Sequence, residues 1–220
     1  DQADRELGTA LTQLCFSGPE EALRQTAVTQ PAVFVHSVAA LQLLRAGGLR
    51  PDCVAGHSLG EYSALVAAEA LDFEVGLRLV QRRGELMQEA GDKRPGAMAA
   101  VIGLDDDRVV GLCEQCAGTV VAANFNAPGQ LVISGEKAAV EEVTAAASEA
   151  GAKRVVPLPV SAAFHSPLME SAATELQELL DQTPLSTPEI PVVTNVGASP
   201  VREVGELRNQ LNAQMTSPVR

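Results

Sequence analysis

Positive charge is scarce in this chain beside negative charge. Sixteen Lys and Arg stand against 28 Asp and Glu, for a formal net charge of -12 and a pI near 4.7. A sequence-independent phosphate-binding surface needs clustered Lys and Arg, so nucleic acid is excluded as a partner. No apolar run reads as a membrane span, because Glu61, Glu69 and Asp72 interrupt the most hydrophobic predicted helix. The N-terminus carries no basic and apolar leader, so the expectation is a cytoplasmic protein without a membrane partner. Cysteines are few, and Cys15, Cys53, Cys113 and Cys116 fit that compartment as reduced thiols. Cys113-x-x-Cys116 has metal-ligand spacing, but no second pair accompanies it and it falls late in a predicted helix; no metal site is expected. Internal repeats and low-complexity linkers are absent too. What remains is a 220-residue chain, 46% hydrophobic and 20% charged, able to bury a substantial core as one large domain or two small ones.

The most informative segment is Gly56-His57-Ser58-Leu59-Gly60, between an apolar stretch ending at Val54-Ala55 and a helical pattern over 61–71. Strand, sharp turn and helix are the context of a nucleophile elbow. The serine hydroxyl is exposed there, the flanking glycines admit strained backbone and close approach, and helix N-terminal amides lie beside it. Such a serine is built to be acylated.

Upstream, Pro31 suits a first helical turn and Gly47-Gly48 a C-terminal cap, which predicts a helix over 31–46. It is apolar on most sides and is expected to be buried, with His36 a satisfied core histidine. A second helix is predicted over 73–90 after the elbow helix. The pattern then changes: strand 97–103, helix 105–116, strands 120–124 and 130–134 around Asn126-Ala127-Pro128-Gly129, helix 136–150, strand 154–158. That order, strand-helix-strand-strand-helix-strand, is a split ferredoxin-like unit. Ser166-Pro167 opens a helix to about Leu180, and 190–195 reads as a core strand. The fold class is α/β, with a small subdomain over 92–168 inserted into a large one over 1–91 and 169–220.

Ser58 needs a base, and His57 is a poor one because adjacent side chains leave the backbone in different directions. His165 follows a strand and a short loop and precedes the helix capped by Ser166, whose N-terminal dipole favours neutral imidazole. By itself it reads equally as a base or as a surface loop histidine. On the 73–90 helix, Val75, Leu79, Val80, Leu86 and Met87 define an apolar stripe, and Arg83 falls near its middle. An inward arginine keeps its charge and requires an anion, either a buried Asp or Glu or a ligand carboxylate. Arg78 and Arg82 fall at the edge of the stripe or outside it.

Val54-Ala55-Gly56-His57-Ser58-Leu59-Gly60-Glu61-Tyr62-Ser63-Ala64-Leu65 resembles the active-site segment of malonyl-CoA:acyl carrier protein transacylases and of polyketide synthase acyltransferase domains. Thr29-Gln30-Pro31-Ala32, Gln81-Arg82-Arg83-Gly84, Gly96-Ala97-Met98-Ala99-Ala100-Val101, Asn124-Phe125-Asn126-Ala127-Pro128-Gly129-Gln130 and Phe164-His165-Ser166 match in the same order. The resemblance covers essentially the whole chain. It implies an α/β-hydrolase-like large subdomain with a ferredoxin-like insert, and a ping-pong transfer of malonyl from coenzyme A to the thiol of an acyl carrier protein. Ser58 is then the nucleophile, His165 the base, the Leu59 backbone N–H an oxyanion donor, and Arg83 the bidentate partner of the malonyl carboxylate. His57, Asn124 and Asn126 are candidates for pocket support, with His57 reading more readily as a packing residue and Asn126 equally as a turn former. Leu59 together with Phe164 accompanies malonyl rather than methylmalonyl use, although Ala162 and Ala163 depart from the usual residues.

No cofactor is implied beyond the coenzyme A thioester, and the protein is expected to be a monomer. By the same resemblance the chain lacks the family's opening strand, whose turn supplies an oxyanion glutamine. It also stops short of the final strands and helices, where the carbonyl that orients the histidine is expected to lie. The implied carrier is itself acidic, so docking cations must be local, with Arg45, Arg50, Lys93 and Arg94 as candidates. Two rivals stand: a serine hydrolase or thioesterase with the same elbow and an acidic triad member, and an inactive fragment that binds a carrier without turnover.

Overall fold

In the computed structural model, which describes residues 2–220, three short helices, α1 (Gln2–Leu7), α2 (Leu11–Ser17) and α3 (Glu20–Leu23), lead into the long α4 (Thr26–Ala46). The Gly47-Gly48 signal ends α4 as expected: Gly48 takes a left-handed φ of 86°, its N–H donates to Arg45 O, and the Leu49 N–H donates to Leu44 O. The start of α4 lies five residues earlier than the proline suggested, and Pro31 sits buried inside the helix. Burial follows one face only, Gln30, Pro31, Phe34 and Val38, so the fully buried helix expected from composition is corrected. Leu43 is 76% exposed and Leu44 51%. His36, about 200° around the helix from Phe34, is also exposed rather than a core residue. A second correction concerns length: α4 has 21 residues and contains an 18-residue stretch of mean hydropathy 1.4, long and apolar enough by those measures to cross a membrane. The acidic interruptions at Glu61, Glu69 and Asp72 lie beyond it.

Strand β1 (Val54–Ala55) leads to the elbow, then α5 (Gly60–Ala67) and α6 (Phe73–Lys93). The Asp72 carboxylate caps α6 by accepting from the Glu74 and Val75 N–H groups. Gly84 lets α6 approach α4 closely, since a Cβ there would stand 2.9 Å from Thr26 O. Phe34 of α4 stacks on Phe73 with centroids 5.8 Å apart.

The middle of the chain forms β2 (Ala97–Ile102), α7 (Asp106–Gln115), β3 (Val120–Ala127), β4 (Gln130–Gly135), α8 (Lys137–Glu149) and β5 (Arg154–Pro157). The strands make an antiparallel sheet in the order β3-β4-β2-β5. Alternation divides it: Ala99, Val101, Leu131 and Ile133 pack with Val109, Cys113, Val140 and Val143 of the two helices. Met98, Ala123 and Val132 face the other way, with Phe164 against them. A register shift between Ala122 and Asn124 places Ala123 and Asn124 both in buried positions, an irregularity that period-two reading does not foresee.

The remaining elements are α9 (Glu170–Gln182), β6 (Val192–Val193), β7 (Pro200–Val201) and α10 (Val204–Gln214). Strand β6 pairs parallel with β1 and antiparallel with β7. The chain divides into two compact units: residues up to Gln88 with Glu175–Asn212, and Glu89–Thr174 with Ala213–Arg220. The last eight residues thus group with the antiparallel sheet, not with the unit to which the sequence assigned them. Their anchor is backbone pairing, in which the Phe125 N–H donates to Val219 O and the Val219 N–H donates to Ala123 O.

Candidate active site

Ser58 stands where β1 gives way to α5, and its φ of 52° is left-handed, a conformation that L-residues adopt only when their surroundings impose it. Gly56 is required beneath it, because a Cβ there would lie 2.0 Å from the Gly60 carbonyl. The Gly60 N–H donates to His57 O and the Glu61 N–H to Ser58 O, so the turn passes directly into helix. Leu59 is the N-terminal flanking residue of α5, which sets its backbone at the positive end of the helix dipole. His57 is exposed.

Arg83 is 1% exposed, as its position on the α6 stripe predicts. One arm, Nη2, donates to Ser58 Oγ at 3.1 Å and the other, Nη1, to Gln30 Oε1 at 2.6 Å. The guanidinium carbon lies 5.4 Å from the centre of the Tyr62 ring. Burial draws the Arg83 pKa below its usual value, opposed by Tyr62 and Glu61. Burial likewise pushes the Tyr62 hydroxyl up to about 12. Gln30 is itself buried and its amide donates to Met87 Sδ at 3.1 Å. A buried guanidinium therefore reaches the serine hydroxyl from a fixed mount.

In the other unit His165 also takes a left-handed φ, 56°, and is 4% exposed. Its Nδ1 lies 2.9 Å from Gln214 O. A carbonyl only accepts, so Nδ1 carries the proton of the neutral ring and Nε2 is the basic nitrogen. The loop is closed by Ser166, whose hydroxyl donates to Ala163 O and accepts from the Leu168 N–H. The orienting carbonyl thus lies within this chain, which corrects the expectation that it lies beyond the end. Asn124 is buried in β3 beside Val132 and Val219, and Asn126 is an exposed strand residue rather than part of the turn. The Cys113 thiol is packed under the sheet and pushed up to about 12 by burial. Among the described residues no group of three or more His, Cys, Asp and Glu stands together as a metal site.

The family described as "Acyl transferase domain" matches residues 1–220. The chain belongs to the acyl transferase domain family. This acyl transferase domain is 44% identical to the malonyl CoA-acyl carrier protein transacylase of Bacillus subtilis, over 100% of the chain and 70% of the relative. It is 47% identical to the polyketide biosynthesis malonyl CoA-acyl carrier protein transacylase PksC of the same organism, over 91% of the chain and 69% of that protein. Among solved structures, it superposes with a TM-score of 0.96 and 44% identity on a malonyl-transacylase in complex with a type II polyketide synthase acyl carrier protein, covering 100% of the chain and 72% of the other. The acyl transferase domain has an α/β fold.

Three residues of the acyl transferase domain escaped sequence reasoning as parts of the site. Asn195, beyond β6, accepts from the Ser58 N–H and donates to Gly56 O, both at 2.6 Å. Gln30 mounts Arg83, and Gln214 orients His165 through its carbonyl. Gln30 lies in the Thr29-Gln30-Pro31-Ala32 segment, and a polar residue on the buried face of an apolar helix was its available signal. Asn195 and Gln214 offered none, since their partners lie 137 and 49 residues away.

Proposed function

We propose that this acyl transferase domain moves a malonyl group from coenzyme A to the phosphopantetheine thiol of an acyl carrier protein, in fatty acid or polyketide biosynthesis. The observation that carries the substrate class is Arg83: a buried guanidinium 3.1 Å from the hydroxyl to be acylated suits a carboxylate one methylene from the reacting carbonyl.

Ser58 Oγ attacks the thioester carbonyl as His165 Nε2 takes its proton. The tetrahedral oxyanion is held by the Leu59 N–H. Its collapse breaks the carbon–sulfur bond and His165 returns the proton to the departing coenzyme A thiolate. The carrier thiol then attacks the serine ester by the reverse steps. Phe164, Asn124 and the exposed His57 are assigned to acyl recognition, where Phe164 crowds an α-methyl group. One methyl is worth about 1–3 kcal/mol of discrimination. The coenzyme A thioester is substrate, and the reaction has no cofactor.

The finer fold reading is an α/β-hydrolase-like large subdomain with a ferredoxin-like small one, in a cytoplasmic monomer. It is supported by the parallel β1–β6 pair beside the elbow and by the β3-β4-β2-β5 order with α7 and α8 on one face.

Intact mass after mixing with malonyl-CoA tests the chemistry. The wild type should gain a malonyl ester and pass it to carrier protein faster than to water, and Ser58→Ala should gain none, since loss of a nucleophile costs roughly 10⁴–10⁶ in rate. An adduct persisting on Ser58→Ala removes Ser58 as nucleophile; release mainly to water identifies a thioesterase.

A further inference from the structure

Three hydrogen bonds converge on Asn195 from the turn that carries the nucleophile. The Ser58 N–H donates to its Oδ1 at 2.6 Å, and its Nδ2 donates to Gly56 O at 2.6 Å. Its own backbone N–H donates at 3.2 Å to Oε2 of Glu61, the second residue of α5. Asn195 is 5% exposed and Glu61 1%. The amide orientation is determined, because the reversed group would set N–H against N–H and oxygen against oxygen. Register explains how so distant a residue arrives there. Parallel pairing sets Ala55 beside Val193, so the residues just past each strand meet at the elbow.

We propose that Asn195 is a positioning residue for the nucleophile, locking the left-handed Ser58 backbone by holding both peptide groups that flank His57, with Glu61 fixing Asn195 in turn. Ser58 at φ 52° is a conformation its side chain resists, and without the clamp the turn relaxes toward ordinary helix-start geometry. Relaxation moves Oγ and the neighbouring helix amides away from the reacting carbonyl while leaving the thioester's remote contacts intact. The clamp therefore acts on the acylation step more than on binding. The inference rests on reading Ser58 as the nucleophile.

The test is single-turnover formation of the malonyl ester, followed by quenched-flow mass spectrometry alongside thermal unfolding. Asn195→Ala should acylate about 10²-fold more slowly, the cost typical of a displacement near 1 Å, while the half-saturating malonyl-CoA concentration changes less than about threefold. Glu61→Ala should slow the step in the same direction, and Glu61→Gln, which keeps an acceptor for the Asn195 N–H, should lose less. Wild-type acylation by a folded Asn195→Ala overturns the clamp, as does a loss that tracks only the unfolded fraction. Should Asn195→Ala not fold, equal rates for Glu61→Ala and Glu61→Gln overturn it instead. Failure of the underlying reading shows differently: Ser58→Ala would still take up malonyl. An inert Ser58→Ala beside a fully active Asn195→Ala sinks the clamp alone.

Discussion

Arg83 is a charge placed where charge is costly, and its mount explains why it stays useful. Gln30 accepts a hydrogen bond without bringing a negative charge of its own, whereas a carboxylate at that position would pair with the guanidinium and compete with the acyl carboxylate proposed to bind there. Arg83→Ala should therefore cost malonyl a charge-assisted bond of about 1.5–3 kcal/mol and raise acetyl-CoA relative to malonyl-CoA. Gln30→Glu should shift the same ratio the same way with the arginine still present. The measurement is kcat/KM for both thioesters in wild type and each variant. A ratio unchanged in folded Arg83→Ala makes the arginine structural, and one unchanged only in Gln30→Glu makes the glutamine a packing residue. At this scale the turn at Ser58 and the inward placement of Arg83 were legible because each breaks a local pattern, a serine among glycines and a cation in an apolar stripe. Asn195 and Gln214 break no pattern near themselves; their roles exist only once β6 lies beside β1 and the Gln214 carbonyl meets the His165 loop.

Elements were legible in proportion to their length and periodicity. The βαββαβ order of the middle segment follows from alternation and caps, such as the Asp105 side chain accepting from the Asp107 N–H at the start of α7. The strand expected over 190–195 is present as Val192–Val193, β6, whereas the two-residue β7 and the short α1 to α3 carry too few residues for a period to emerge. The α4 start was misplaced because proline marks a first turn by preference, and the helix instead tolerates it five residues in. The α4–α6 contact yields a prediction at this scale. Gly84→Ala improves helix propensity by about 1 kcal/mol yet drives a Cβ to 2.9 Å from Thr26 O, where backbone cannot easily give way. The clash should win, as overpacking costs about 1–3 kcal/mol. Each kcal/mol lowers Tm by roughly 2–4 °C in a chain of this size. A Tm raised by Gly84→Ala in thermal denaturation would show that α4 shifts freely against α6.

For the whole molecule, the net charge of -12 sets a problem that composition alone cannot resolve, because the proposed carrier protein is acidic as well. Long-range repulsion slows encounter unless cations are exposed locally. Arg45 is engaged internally, paired with Glu69 at 2.7 Å and donating to Ala67 O, so it is a structural cation. Arg50, Lys93 and Arg94 are exposed and remain available to a partner, although Arg50 also donates to Leu49 O. Reversing Lys93 and Arg94 together to Glu adds local repulsion to global repulsion. Their double variant should raise the KM for carrier protein severalfold, on the scale of about 1 kcal/mol for rim charges, and leave the KM for malonyl-CoA and the Tm nearly unchanged. Salt supplies the second arm. If attraction at these cations outweighs the overall repulsion, rising ionic strength weakens carrier kinetics in the wild type, and the double variant shows a smaller or inverted response. Should wild type and variant share one salt profile and one carrier KM, docking depends on neither cation, and an apolar contact is the alternative.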